Sequence, residues 1–195
     1  MSNTAAKLPP MMTVADFLDW PGDGVGTRYE LIDGELRAMA PASDAHNRIL
    51  ANLTILVGGH LRTHRPGCST VATPGVQPRT SANWNFRIPD LGVTCSPNRP
   101  GDVMVPDPIL LVEVLSPNNM HSTQEAVRAY TTLPSVMEIL VLHSTSIKAE
   151  ILVKAADGSW PLDPEVVEAG GLLKLASIEA SWPVAEFYRG THLVT

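Results

Sequence analysis

The segment Pro108-Ile-Leu-Leu-Val-Glu113-Val-Leu-Ser116 is a near-continuous apolar run with one carboxylate in its middle. Runs of this kind form strands buried on both faces. An ionised carboxylate cannot sit alone in such a strand without a large desolvation cost. Glu113 must therefore be protonated, paired with a cation, or bound to a metal. A second acid, Asp90, interrupts another apolar stretch, Phe86-Arg87-Ile88-Pro89-Asp90-Leu91-Gly92-Val93, directly after a proline. Two isolated acids on two neighbouring strands can converge on one point. Their hard oxygens suit Mg²⁺ or Mn²⁺, which keep several waters. Such an ion can activate a water and neutralise charge on a phosphodiester during transfer.

The other chemically capable residues are less distinctive. Glu30 and Glu35 flank an Asp33-Gly34 turn, where exposed acids are ordinary. His46 falls in the first turn of a helix, where an exposed histidine is equally ordinary. His60 and His64 are spaced for shared metal binding on one helix face, but no acid or third histidine joins them, so they read as surface residues. Tyr130 reads as core packing of a second helix. Asp102 and Asp107 lie in a Pro-rich loop and read as solvated. Trp84, Trp160 and Trp182 have no interleaved basic residues that would make them base-stacking platforms. Cys68 and Cys95 are the two cysteines, and the expectation is two reduced, partly buried thiols.

The elements that must hold these residues are readable from pattern. Thr13 caps a short helix, with Asp16 at the reciprocal position of a capping box, and Pro21-Gly22 ends it. Tyr29–Ile32 and Glu35–Met39 alternate around Asp33-Gly34, a strong hairpin signal. Ser43 caps the longest helix, about Asp44 to His64, whose apolar residues Ile49, Leu50, Leu53, Leu56, Val57 and Leu61 recur at helical spacing. Strands are predicted at Ser69–Ala72, Val76–Arg79, Arg87–Cys95 and Ile109–Leu115. A second helix is predicted at about Thr123–Leu133, then strands at Met137–Leu142 and Ile147–Lys154. Asp157-Gly158 and Gly170-Gly171 punctuate a C-terminal β-meander, and a last helical turn begins near Pro183. This order predicts an α/β fold with one mixed central sheet and helices beside it. It fits a single domain with its core at about 12–155 and a β extension at about 156–195.

The 195 residues are 44% hydrophobic and only 17% charged, which excludes a coiled coil and a disordered charged tail. No run of about 18 apolar residues is present, so no membrane span is expected. The first residues, MSNTAAKLPPMMTVADF, lack the compact apolar run of a signal peptide, and the expected location is cytoplasmic. The net charge of −6 argues against bulk attraction to duplex DNA, though not against a local basic groove.

Pro89-Asp90 followed by Glu113-Val114-Leu115 resembles the Pro-Asp…(Asp/Glu)-x-Lys core of the restriction-endonuclease-like superfamily. The longer pattern resembles one branch, the Uma-two family. It comprises Tyr29-Glu30-Leu31-Ile32-Asp33-Gly34-Glu35, Ser43-x-x-His46, Arg87-x-Pro89-Asp90, Glu113-Val-Leu-Ser-Pro117 and Tyr130, and it covers roughly residues 12–155. The resemblance implies a restriction-endonuclease-like mixed sheet, a Mg²⁺- or Mn²⁺-dependent nuclease acting on DNA, and a homodimer. By that resemblance Asp90 and Glu113 are the metal-binding acids, and the Val114 carbonyl is a third ligand. Glu30 or Glu35 adds a ligand or orients water, with Glu35 taken as the site residue. His46 contacts the site or the scissile phosphate.

One departure is equally specific. The motif's lysine belongs two residues after Glu113, where Leu115 stands. In the Uma-two branch it belongs on the following helix, four residues before Tyr130, where Ala126 stands; the Asp expected four residues earlier is replaced by Ser122. Arg128 falls about 200° round the helix from Ala126. Lys148 or Lys154 could reach in from a later strand. Two functions follow: a divalent-metal-dependent endonuclease, or a decayed nuclease fold that binds nucleic acid or a protein. A structural or small-ligand β-rich protein is a third and weaker reading.

Overall fold

The computed structural model describes residues 11–117 and 119–194; the sequence reading of residues 1–10 lies outside them. Helix α1 (Val14–Asp19) begins with the predicted capping box. Thr13 Oγ1 accepts from the Asp16 N–H at 3.2 Å, and the Thr13 N–H donates to Asp16 Oδ2 at 3.0 Å. Strands β1 (Tyr29–Ile32) and β2 (Glu35–Ala38) form the predicted hairpin. Asp33 and Gly34 both have positive φ, as a tight two-residue turn requires.

Helix α2 (Asp44–His64) occupies the predicted span. Ile49, Leu53, Val57 and Leu61 form its fully buried stripe. The remaining elements are β3 (Ser69–Ala72), β4 (Leu91–Thr94), β5 (Pro108–Leu115), α3 (Met120–Tyr130), β6 (Glu138–His143), β7 (Lys148–Val153), β8 (Glu165–Glu168), β9 (Leu172–Leu175) and β10 (Ala180–Pro183). The main sheet has the order β3-β4-β5-β6-β7-β8. Only β5 and β6 are parallel, and α3 lies in the connection between them. A parallel pair needs a long crossover, and a helix is the usual means.

The two sheet faces are distinct. Leu91, Val93, Leu110, Val112, Val114, Leu140, Leu142, Ala149 and Ile151 pack against the α2 stripe and the C-terminal segment. Leu111 and Ile139 point the other way, onto Ala126 and Tyr130 of α3. Glu113, in step with Leu111 on β5, belongs to this α3 face.

Four expectations are corrected. Val76–Arg79 is not a strand; Val76 makes one isolated bridge, to Arg87. The strand expected from Arg87 starts only at Leu91, because the Ile88 N–H is given to the Glu30 side chain and Pro89 has no N–H to give. The C-terminal strands are no continuous meander: β8 extends the main sheet, whereas β9 pairs with β10 apart from it. Cys68 and Cys95 are not free thiols but a disulfide. They stand one step beyond the Ser69–Thr94 pair of β3 and β4, so the strand register itself brings them together.

Candidate active site

The register of the central strands assembles the two acids. β4 pairs Leu91 with Val112 of β5. One residue further on, Asp90 comes abreast of Glu113, on the α3 face. A backbone-to-side-chain bond ties the two segments together at this point, since the Val114 N–H donates to Asp90 Oδ2 at 2.7 Å. His46 arrives from the opposite layer. It sits three residues before Ile49, so the stripe that buries α2 turns it inward, and Ser43 fixes its turn by accepting from its N–H at 3.2 Å. His46 Nε2 lies 3.2 Å from Asp90 Oδ2.

Glu30 joins from the hairpin. The bridge between Leu31 and Phe86 brings Glu30 alongside Arg87. Glu30 Oε1 accepts from the Ile88 N–H at 2.7 Å, and its other oxygen lies 3.8 Å from Arg87 Nη1. Gly75 makes room for this segment: a Cβ there would lie 2.3 Å from the Phe86 ring. Tyr130, in the last turn of α3, donates its hydroxyl to Glu113 Oε1 at 2.6 Å. It is thus a site residue rather than core packing alone.

The electrostatics follow from crowding. Burial, reinforced by Asp90 and Glu30, pushes the Glu113 carboxyl well above the usual carboxylate range, while the Tyr130 hydroxyl and Arg87 pull the other way. Burial likewise raises Glu30, opposed by the Ile88 N–H and by Arg87. Tyr130 is raised too, by burial and by the acid it serves. Glu138 is an instructive contrast. It is buried at the start of β6, but it accepts from the Ala176 and Ser177 N–H groups and from the Ser177 hydroxyl, so its lone pairs are spent on holding the C-terminal segment. Glu113 has one donor and two acidic neighbours. The first arrangement is structural, whereas the second leaves room for a cation.

The other candidates divide clearly. Glu35 does not join the cluster. It is exposed next to the turn, and its carboxylate reaches Arg37 at 3.7 Å. Glu30 and Glu35 share one face of the hairpin, since Glu35 pairs with Ile32, but it is β1 that bridges to Phe86, so Glu30 is the acid brought to the cluster. His60 and His64 stack on each other, with His60 Nε2 3.0 Å from the Ile178 carbonyl. Ala126 is buried against Tyr130, Ser122 is exposed, and Arg128 is exposed. Lys148 is held by Glu150 at 2.6 Å, and Lys154 donates to the Pro134 carbonyl at 2.9 Å. Arg87 was legible only as part of a motif. The signal that could have found it is a cation three residues before an acid, in a stretch otherwise apolar.

A divalent ion fits the donors. Asp90 Oδ1 and Glu113 Oε2 accept no hydrogen bond among the described residues. No group of three or more His, Cys, Asp and Glu side chains among them forms a metal cage. Glu30 Oε2 is likewise without a donor among the described residues, and open carboxylate oxygens outside a closed cage suit a hard ion that keeps its waters, as Mg²⁺ does.

This mixed α/β architecture has a counterpart among solved structures. The crystal structure titled "a putative nuclease belonging to DUF820", from Anabaena variabilis, matches with a TM-score of 0.71 over 91% of this chain and 97% of that one, at 13% identity. The protein belongs to the Uma2 family, described as "Putative restriction endonuclease", whose profile matches residues 14–184. The uncharacterized protein slr1290 of Synechocystis sp. is 29% identical over 183 residues, 93% of each chain. No helix among the described residues is long and apolar enough to cross a membrane.

Proposed function

We propose that the protein is a divalent-metal-dependent endonuclease that hydrolyses phosphodiester bonds in DNA. The observation that carries this reading is the convergence of Asp90 and Glu113, each with one oxygen spent on a protein donor and one left open. Those two oxygens would hold Mg²⁺ or Mn²⁺, with the Val114 carbonyl as the third protein ligand. When bound, the ion supplies Lewis-acid polarisation of water and charge neutralisation at the phosphate. The chain's own groups prepare the place. Tyr130 fixes the rotamer of Glu113, and the Val114 N–H fixes that of Asp90. His46, seated on Asp90, stands where a proton can be passed to or from the site. Glu30 adds negative charge from the hairpin side without giving up its bond to Ile88. By the same reading the enzyme works in the cytoplasm, as a homodimer that places two such sites on one duplex.

The test is cleavage of supercoiled plasmid in Mg²⁺ and in Mn²⁺ by the wild type, Asp90→Ala and Glu113→Gln. Metal-dependent nicking that both variants lose supports the reading, and nicking that survives in both refutes it. Size-exclusion chromatography with light scattering checks the dimer.

The missing lysine favours a second reading, a nuclease fold that binds nucleic acid without cutting. Leu115 and the buried Ala126 occupy the lysine's positions, and Lys148 and Lys154 are engaged elsewhere. Saturable DNA binding in Ca²⁺, with no cleavage in Mg²⁺ or Mn²⁺, would select it.

A further inference from the structure

Arg87 is the charged group of this site left without a bonded partner. Its side chain is only 5% exposed, yet among the described residues Nε and Nη1 have no hydrogen-bond partner, as is also true of His46 Nδ1. Buried guanidinium groups are normally paired and hydrogen-bonded, because an uncompensated buried charge is strongly destabilising. The nearest anion, Glu30, stands at 3.8 Å, beyond hydrogen-bond range. Arg87 is therefore not an ordinary structural ion pair. It faces a cluster rather than a partner: Glu30 directly, with Glu113 and Tyr130 within its field.

We propose that Arg87 is a positioning residue that sets the charge of the acid cluster, standing in for the lysine absent at 115 and 126, so that the cluster takes up one divalent cation per chain. The inference rests on the metal-site reading above. With all three acids ionised, as they would be around a bound cation, the carboxylates of Glu30, Asp90 and Glu113 against the guanidinium leave two negative charges, which one divalent ion would complete. A lysine can lose its proton when buried; an arginine cannot, so the offset is permanent. Arg87 would repel the incoming ion and keep it from being held too tightly, and it balances Glu30, whose Oε1 is held by the Ile88 N–H while Oε2 lies 3.8 Å from the guanidinium.

The experiment is titration of Mn²⁺ into the full chain, read by the electron paramagnetic resonance signal of free Mn²⁺. It compares the wild type with Arg87→Lys, Arg87→Gln, Glu30→Gln and the double variant Arg87→Gln/Glu30→Gln. The wild type should bind one Mn²⁺ per chain. Arg87→Lys keeps the charge and should stay within about threefold of it. Arg87→Gln should bind about tenfold tighter and Glu30→Gln about tenfold weaker, a modest effect for one unit charge near a divalent ion in a protein. The double variant should return close to wild type.

A merely structural Arg87 gives the opposite sign, since its loss would loosen Glu30 and weaken binding. A folded Arg87→Gln that binds no tighter than wild type overturns the proposal. Should Arg87→Gln fail to fold, the double variant decides: wild-type affinity supports the proposal, and affinity as weak as Glu30→Gln overturns it. A wild type that takes up no Mn²⁺ overturns the metal-site reading and this inference together. A wild type that binds two ions per chain overturns the inference alone.

Discussion

Glu113→Gln should stabilise the metal-free protein, and increasingly so as pH rises. In the unfolded chain Glu113 ionises near the ordinary value of about 4.3. In the fold, burial beside Asp90 and Glu30 raises its pKa well above that. Between the two values the native state holds one proton more than the unfolded state. Stability therefore falls with rising pH across that window, by about 1.4 kcal/mol per pH unit, and levels off above the folded value. Below the window the carboxyl is protonated in both states and costs nothing of this kind. Glutamine has nearly the same shape, keeps an oxygen for the Tyr130 hydroxyl, and does not titrate. As the pH rises from the unfolded value towards the folded one the variant should thus gain steadily on the wild type. Urea denaturation in chelator, at half-unit steps from pH 4.5 to 8, measures both proteins; the difference between them isolates this one carboxyl. Parallel curves would refute the reasoning, because they would mean that Glu113 ionises in the fold as freely as in the open chain. Mn²⁺ at 100 times its Kd should restore about 2.7 kcal/mol to the wild type and much less to the variant.

Further outcomes are expected from the same geometry. Tyr130→Phe removes the one donor to Glu113 among the described residues and should cost about 1–3 kcal/mol at neutral pH in chelator, seen as a lower urea midpoint. Glu35→Ala should change stability by less than about 0.5 kcal/mol and leave the Mn²⁺ titration unchanged, because that side chain lies exposed on the hairpin. Replacing Cys68 and Cys95 by serine opens a loop closed over 27 residues and should cost about 3.5 kcal/mol on chain-entropy grounds, measured by denaturation without reductant.

Much of the architecture is local and was therefore legible. The span of α2, the capping box of α1 and the Asp33-Gly34 hairpin depend on caps, turn conformations and spacing that lie within a few residues. The two acids set in apolar segments were legible for a related reason. A charge inside an apolar run contradicts its neighbours, and such contradictions mark functional positions.

What stayed hidden depends on contacts far apart in the chain. Whether Glu30 or Glu35 faces the acids depends on which hairpin strand lies beside Phe86, some 50 residues away. Whether Tyr130 packs or donates depends on α3 lying over β5. The cysteines were misread because redox context spoke for thiols, while the β3–β4 register places them side by side. Arg87 makes the division plain. Its sequence neighbours announce a buried segment, but only the fold surrounds it with carboxylates from the hairpin and from β5. The residue types and their order determined that two acids interrupt apolar segments and so belong together in one site. The tertiary structure decided which charges share one low-dielectric space, because electrostatic energies there depend on distances of a few ångströms that no spacing along the chain specifies.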